Sequence, residues 1–282
     1  MSRMQMAALT NLVNSRDAGG YSLPAEVVDA YATVAAVRAI AVPEPPALWP
    51  DAAAARIVSA VAAGRTIDPL ELGRDLRRAE EERQAARVAQ QVLALAIEQA
   101  GDIAANLTSD LTERIISDHI RPALEGVHAD AAEAATALRG YGLDPATLVT
   151  APARARNAYS ALSGLVARRS LLYTARRWAN TIGHREPQHD GSHLFAEFAD
   201  PLALSPWWKP PAPIPQTPAP QDPVERLLWL VSEAAAPAKP WLPTVAEQDE
   251  AWWARFGEAQ QTRARAHHDA LAISARIEPR RR

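Results

Sequence analysis

The chain of 282 residues contains no cysteine. That removes disulfides, thiolate-ligated zinc and a thiol nucleophile together. Lysine is almost absent: Lys209 and Lys239 stand against an otherwise all-arginine set of 30 basic residues. Alanine and proline are abundant, and all three biases follow from GC-rich codons. An arginine here is therefore weak evidence of phosphate recognition. Glycine is scarce, at 12 residues. The chain has no Gly-x-Ser-x-Gly, no phosphate-cradling loop, no His-Glu-x-x-His and no dinucleotide fingerprint. Long apolar runs are missing too. "VVDAYATVAAVRAIAV" is broken by Asp29 and Arg38 and is too short to span a bilayer. "MSRMQMAALTNLVNSRDAGG" lacks the apolar centre of a signal peptide. A net charge of −3 supplies no global attraction to nucleic acid or acidic lipid. The expectation is a non-enzymatic, cytoplasmic protein, or one assembled into a particle made in the cytoplasm. It has no membrane association, no cofactor and no small-molecule substrate.

β signals are also missing. No stretch alternates β-branched and aromatic residues, and Asp190-Gly191 lacks strand patterns on both sides. What remains is helical. Hydrophobic residues make up 48% of the chain, enough for a sizeable core. Helices are expected over about 3–15, from Pro24 to the breaker "VPEPP", and from Asp51 to Gly64. Three later starts share one device: Asp68-Pro69, Asp144-Pro145 and Asp222-Pro223. Aspartate caps the first free amides, and proline fits the first helical turn.

Between Pro69 and Gly140 the only proline is Pro122. Leu93, Ile97, Ala100, Ile103, Leu107, Leu111 and Ile115 recur at steps of 4, 3, 3, 4, 4 and 4. That is a helical stripe with coiled-coil-like spacing in places. A helix of about 70 residues would be roughly 100 Å long, and Pro122 must kink or break it. Two antiparallel bundle helices and one projecting, oligomer-forming coiled coil both satisfy this pattern. The fold expected is all-α: an elongated helical bundle with a long helix kinked near Pro122, a Pro-rich extended arm and a helical C-terminal tail. The divisions expected are a body over 1–182, a loop and strap over 183–222, and a tail over 223–282.

Charge is unevenly placed. Pro145–Arg185 carries seven arginines and no acid; Val88–Glu133 carries eight acids against Arg114 and Arg121. The turn "GYGLDP" lets the basic helix fold back on the acidic one, with opposite charges facing at the rims. The alternative is a nucleic-acid adaptor using Arg168, Arg169, Arg176 and Arg177, with Tyr173 and Trp178 as stacking platforms. Leu165, Leu172 and Tyr173 share that sector, which is not cleanly polar as a phosphate-tracking face should be.

Six of eight tryptophans follow residue 200. Trp207, Trp208, Trp241, Trp252, Trp253 and Phe256 are the candidate partner-binding set, since tryptophan is enriched at interface hot spots. A small C-terminal core accounts for the same residues. "SPWWKPPAPIPQTPAP" reads as a strap anchored by Trp207 and Trp208, because eight prolines between Ser205 and Pro223 favour extended polyproline II. His184, His189 and His193 match no fixed zinc spacing and read as a solvated loop. The functional expectation is a structural or assembly protein acting through helix–helix contacts and this Trp/Pro arm. Self-association or a protein partner follows from that, and a phage-like particle would suit the long helices.

Overall fold

The computed structural model describes residues 3–42, 44, 50–205 and 218–258. The protein is predominantly helical, and the described residues contain no β-strand. In chain order the helices are α1 (Arg3–Asn14), α2 (Arg16–Gly19), α3 (Ala25–Arg38), α4 (Pro50–Ala62), α5 (Pro69–Asp110), α6 (Thr112–Arg114), α7 (Arg121–Ala137), α8 (Pro145–Val149), α9 (Ala153–Ile182), α10 (Pro223–Leu230) and α11 (245–258). All three Asp-Pro starts begin helices. Asp68 accepts from the Leu70 amide at 2.9 Å, Asp144 from Ala146 and Thr147, and Asp222 from Val224 and Glu225, both at 2.9 Å.

α5 has 42 residues, about 63 Å of helix. Helical bonding continues past it in altered form. Leu111 interrupts the regular ladder, and Ile115–Ile120 is a six-residue π-helical stretch. Pro122 follows in the first turn of α7. Proline has no amide hydrogen to give, so the ladder loses one bond at that residue. The ladder therefore alters before Pro122 as well as at it.

The chain forms two compact units: Glu26–Ala104, and the described residues before Glu26 together with those from Ala105 onward. This division differs from the one the proline pattern suggests. Prolines mark where helices stop, whereas units are set by which segments bury each other.

The second unit is built around α9, which packs against both α1 and α7. Leu9, Leu12, Ile115, Ile116, Ile120, Leu124, Leu162, Leu172 and Ile182 are fully enclosed. The basic helix does fold back on its acidic predecessor. Arg154 lies 3.6 Å from Glu133 and Arg168 lies 3.8 Å from Asp130. Both pairs are open to water and contribute about 0–1 kcal/mol each. Gly20 closes α2 in the left-handed region, φ 66°, a conformation that costs a residue with a Cβ.

The first unit contains α3, α4 and most of α5. Its helices approach one another little. Its buried side chains are few and mostly small, among them Val27, Val34, Ala53, Ala60, Leu72 and Ala79. No helix among the described residues is long and apolar enough to cross a membrane.

Candidate association surfaces

Within the second unit, the segment after α9 returns along it and closes a polar seam. Arg169, Tyr173 and Arg176 follow one another at steps of four and three, so they share one side of α9. The Tyr173 hydroxyl donates to the Trp241 carbonyl at 3.0 Å, and burial pushes its phenol up to about 12. The Arg169 guanidinium lies 4.8 Å from the Tyr173 ring centre and donates to Glu197. Glu197 also accepts from Arg226 of α10, so one carboxylate joins α9 to α10.

Deeper in, Arg176 donates to the Gln248 side chain and to the Ala196 carbonyl. Gln248 donates onward to the Ser192 carbonyl. Asp249 accepts the Gln188 amide and, at 2.8 Å, the Ser192 hydroxyl. Arg121 of α7 donates to Glu247 and to the Leu242 carbonyl. Burial acts to raise the Glu247 carboxyl, but the Thr244 amide and Arg121 outweigh it and hold the group below its ordinary value. His128 of α7 is driven down to about 4, first by burial and then by the nearby Arg169 charge, against the pull of Glu197.

Two backbone stretches meet across this seam. Ala199 and Asp200 donate to the Lys239 and Ala238 carbonyls, and Trp241 donates to the Glu197 carbonyl, all at 3.0 Å. Phe198 and Pro240 form an isolated antiparallel bridge. Phe198, Leu230 and Ala238 form a small core under it, with Trp229 packed edge-on against Phe198.

The seam shows where most of the sequence-derived candidates go. Arg169 and Arg176 are occupied inside the fold, and Arg168 faces Asp130 and the Gly19 carbonyl. Arg177 is exposed and donates to Thr174. Trp241 is half-buried, its indole donating to the Phe195 carbonyl at 2.8 Å. Trp252 is buried, and Phe256 packs beside it, with ring centres 5.8 Å apart. Trp253 is 43% exposed, its ring set edge-on to both Trp252 and His189. Trp207 and Trp208, with most of the strap, lie outside the described residues, as does the part of the expected helical tail beyond 258.

The histidine loop is not solvated throughout. His189 stacks on Trp252 at 4.1 Å and nearly parallel. Gly191 makes room for that indole: a Cβ there would lie 2.6 Å from Trp252 Nε1. His184 instead meets Gln5 of α1, and His193 is exposed. No group of three potential metal ligands occurs among the described residues.

The seam residues Glu197, Glu247, Gln248 and Asp249 were not singled out by the sequence. One signal was present. "TVAE" at 244–247 is a capping box: the Thr244 amide donates to the Glu247 carboxylate at 2.8 Å and the Glu247 amide to the Thr244 hydroxyl at 3.2 Å. It marks the helix start that delivers Gln248 and Asp249.

A different surface belongs to the first unit. Among the described residues, nine of the twelve large apolar side chains left exposed lie there. Ile57, Val58 and Val61 are on α4; Val88, Val92, Leu95 and Ile103 are on α5. Beside Val88 and Val92, α5 and residues Ile40–Val42 border an open groove of about 810 Å³. Its walls are apolar except for Glu81 and Gln84.

No family model matches this chain, and no characterised protein or solved structure shows detectable similarity to it. A functional reading therefore rests on these surfaces alone.

Proposed function

We propose that the protein is a non-enzymatic assembly component that associates with its own kind through helix–helix contacts. The observation that carries this reading is the set of uncovered apolar side chains on α4 and α5. Isolated helices gain most of their stability from packing an apolar face. Soluble monomers seldom leave contiguous apolar patches open, and patches that stay open mark interaction sites. A second helical layer over α4 and α5 would satisfy both demands.

The long, coiled-coil-capable helix, interrupted ahead of Pro122, is the main contact element in this reading. The Trp/Pro arm with Trp207 and Trp208 is a second docking element, and a repeating, phage-like particle is a natural setting for both. The nucleic-acid reading draws less support, because Arg169 and Arg176 already have partners within the fold.

Sedimentation of the purified protein across a wide concentration range tests the proposal. The expected result is a mass above the 30.5 kDa of one chain that rises with concentration. A strictly monomeric particle at every concentration would sink it.

A further inference from the structure

The charge pattern around the exposed face of α5 says how two copies meet. Val88, Val92 and Leu95 are 52%, 60% and 59% exposed. Their steps of four and three hold them within a sector of about 60°. The groove bordered by Ile40–Val42 opens along one flank of that sector. Arg87 and Glu98 lie on the other flank. They are eleven residues apart, which is about three turns, so they differ by only about 20° around the helix. Both are exposed, and neither has an ion-pair partner among the described residues.

We infer that α5 pairs with α5 of a second copy in antiparallel fashion, about a two-fold axis passing between Val92 and Leu93. An isologous contact of this kind sets each residue against its mirror position along the helix. The midpoint of 87 and 98 falls between 92 and 93, so Arg87 of each chain comes level with Glu98 of the other. The two-fold also keeps each flank facing the same flank of the partner. Two Arg87–Glu98 pairs therefore close one edge of the contact. The apolar residues interleave between them, and the groove receives side chains from the partner on the opposite edge. A parallel, in-register pair would put Arg87 level with Arg87 and Glu98 level with Glu98, which gains nothing from either charge. The inference rests on the self-association proposed above and adds its orientation and axis.

Charge reversal tests it. In Arg87→Glu or Glu98→Arg alone, both edge pairs become like-charged, and the dissociation constant should rise roughly tenfold or more. An equimolar mixture of the two variants restores both pairs between unlike chains, and its affinity should return to within about threefold of the parent. Circular dichroism verifies that each variant stays helical.

A second measurement does not depend on affinity. Because the chain has no cysteine, introduced cysteines report cleanly. Under mild oxidation Arg87→Cys mixed with Glu98→Cys should give a disulfide-linked dimer, and Arg87→Cys alone should not. A mixture that dissociates like the single variants overturns the antiparallel contact. So does cross-linking of Arg87→Cys by itself as fast as in the mixture. An assembly that ignores all four substitutions would overturn this contact while leaving self-association standing; a monomeric parent protein would remove both.

Discussion

The two units use the same building material to different ends. In the second, α9 is covered on several sides, and Leu162, Leu172, Ala175, Ala179 and Ile182 along it are almost wholly enclosed. In the first, α4 buries only Ala53 and Ala60, while Ile57, Val58 and Val61 face water. Both helices are rich in alanine and aliphatic residues. The difference lies in what is placed against them. A helix with many neighbours converts its apolar stripe into core; one with few keeps that stripe exposed. The contrast teaches that similar helical sequences bury their apolar stripes only where other segments are placed against them.

The sharpest way to test the contrast is a pair of truncations. Leu172→Ala should destabilise the second unit by about 2–5 kcal/mol, the usual range for emptying an enclosed leucine site. Val58→Ala in the monomeric state should change stability by less than about 0.5 kcal/mol. Denaturant unfolding of both variants checks this, and equal losses would erase the distinction.

Next in size is Arg176→Ala, which removes a buried cation and strands the Gln248 side chain and the Ala196 carbonyl. A loss of about 2–3 kcal/mol is expected from the acceptors left without a donor, with faster amide exchange over 245–252. Unaltered exchange there would mean that α11 is held by its aromatic contacts alone.

The pH dependence should come from the second unit. His128 is held down to about 4 in the fold, against an unfolded value near 6.5. A depressed value means that the unfolded chain takes up the proton first. Stability is therefore full above about pH 6.5 and is lost as pH falls toward 4, by about 3 kcal/mol in total. In a His128→Leu variant that stretch of the stability profile should flatten. A profile identical to the parent's would show that another group carries it.

A smaller loss is expected from Asp222→Ala. It leaves the Val224 and Glu225 amides at the start of α10 without the carboxylate they donate to and should cost about 1 kcal/mol. Asp222→Asn should recover most of that, as read by the same unfolding curves.

Much of the helical order was readable from short spans. Capping acts over two or three residues, so Asp68, Asp144 and Asp222 announced their helices without reference to the rest of the chain. The turn "GYGLDP" likewise announced that α9 would return toward α7. The seam was not readable in that way. Arg176 meets a glutamine 72 positions away, and Tyr173 meets a carbonyl 68 positions away. Glutamine and aspartate on a polar helix look the same whether buried or solvated. The histidine loop is solvated only in part, for a related reason. Its Gly and Pro residues signal irregular backbone, but irregular backbone packs as well as it floats, and here an indole from α11 lies against His189.

The sequence alone determined that the chain is helical, where most helices begin, and which thiol, disulfide and fixed-motif chemistries are ruled out. These follow from residue type and from bonds between near neighbours. Only the tertiary structure decided which apolar stripes are covered, that two of the four singled-out arginines face inward, and that the first unit is left with an open face. Burial is decided between segments far apart in the chain, and an exposed valine is written with the same letter as a buried one.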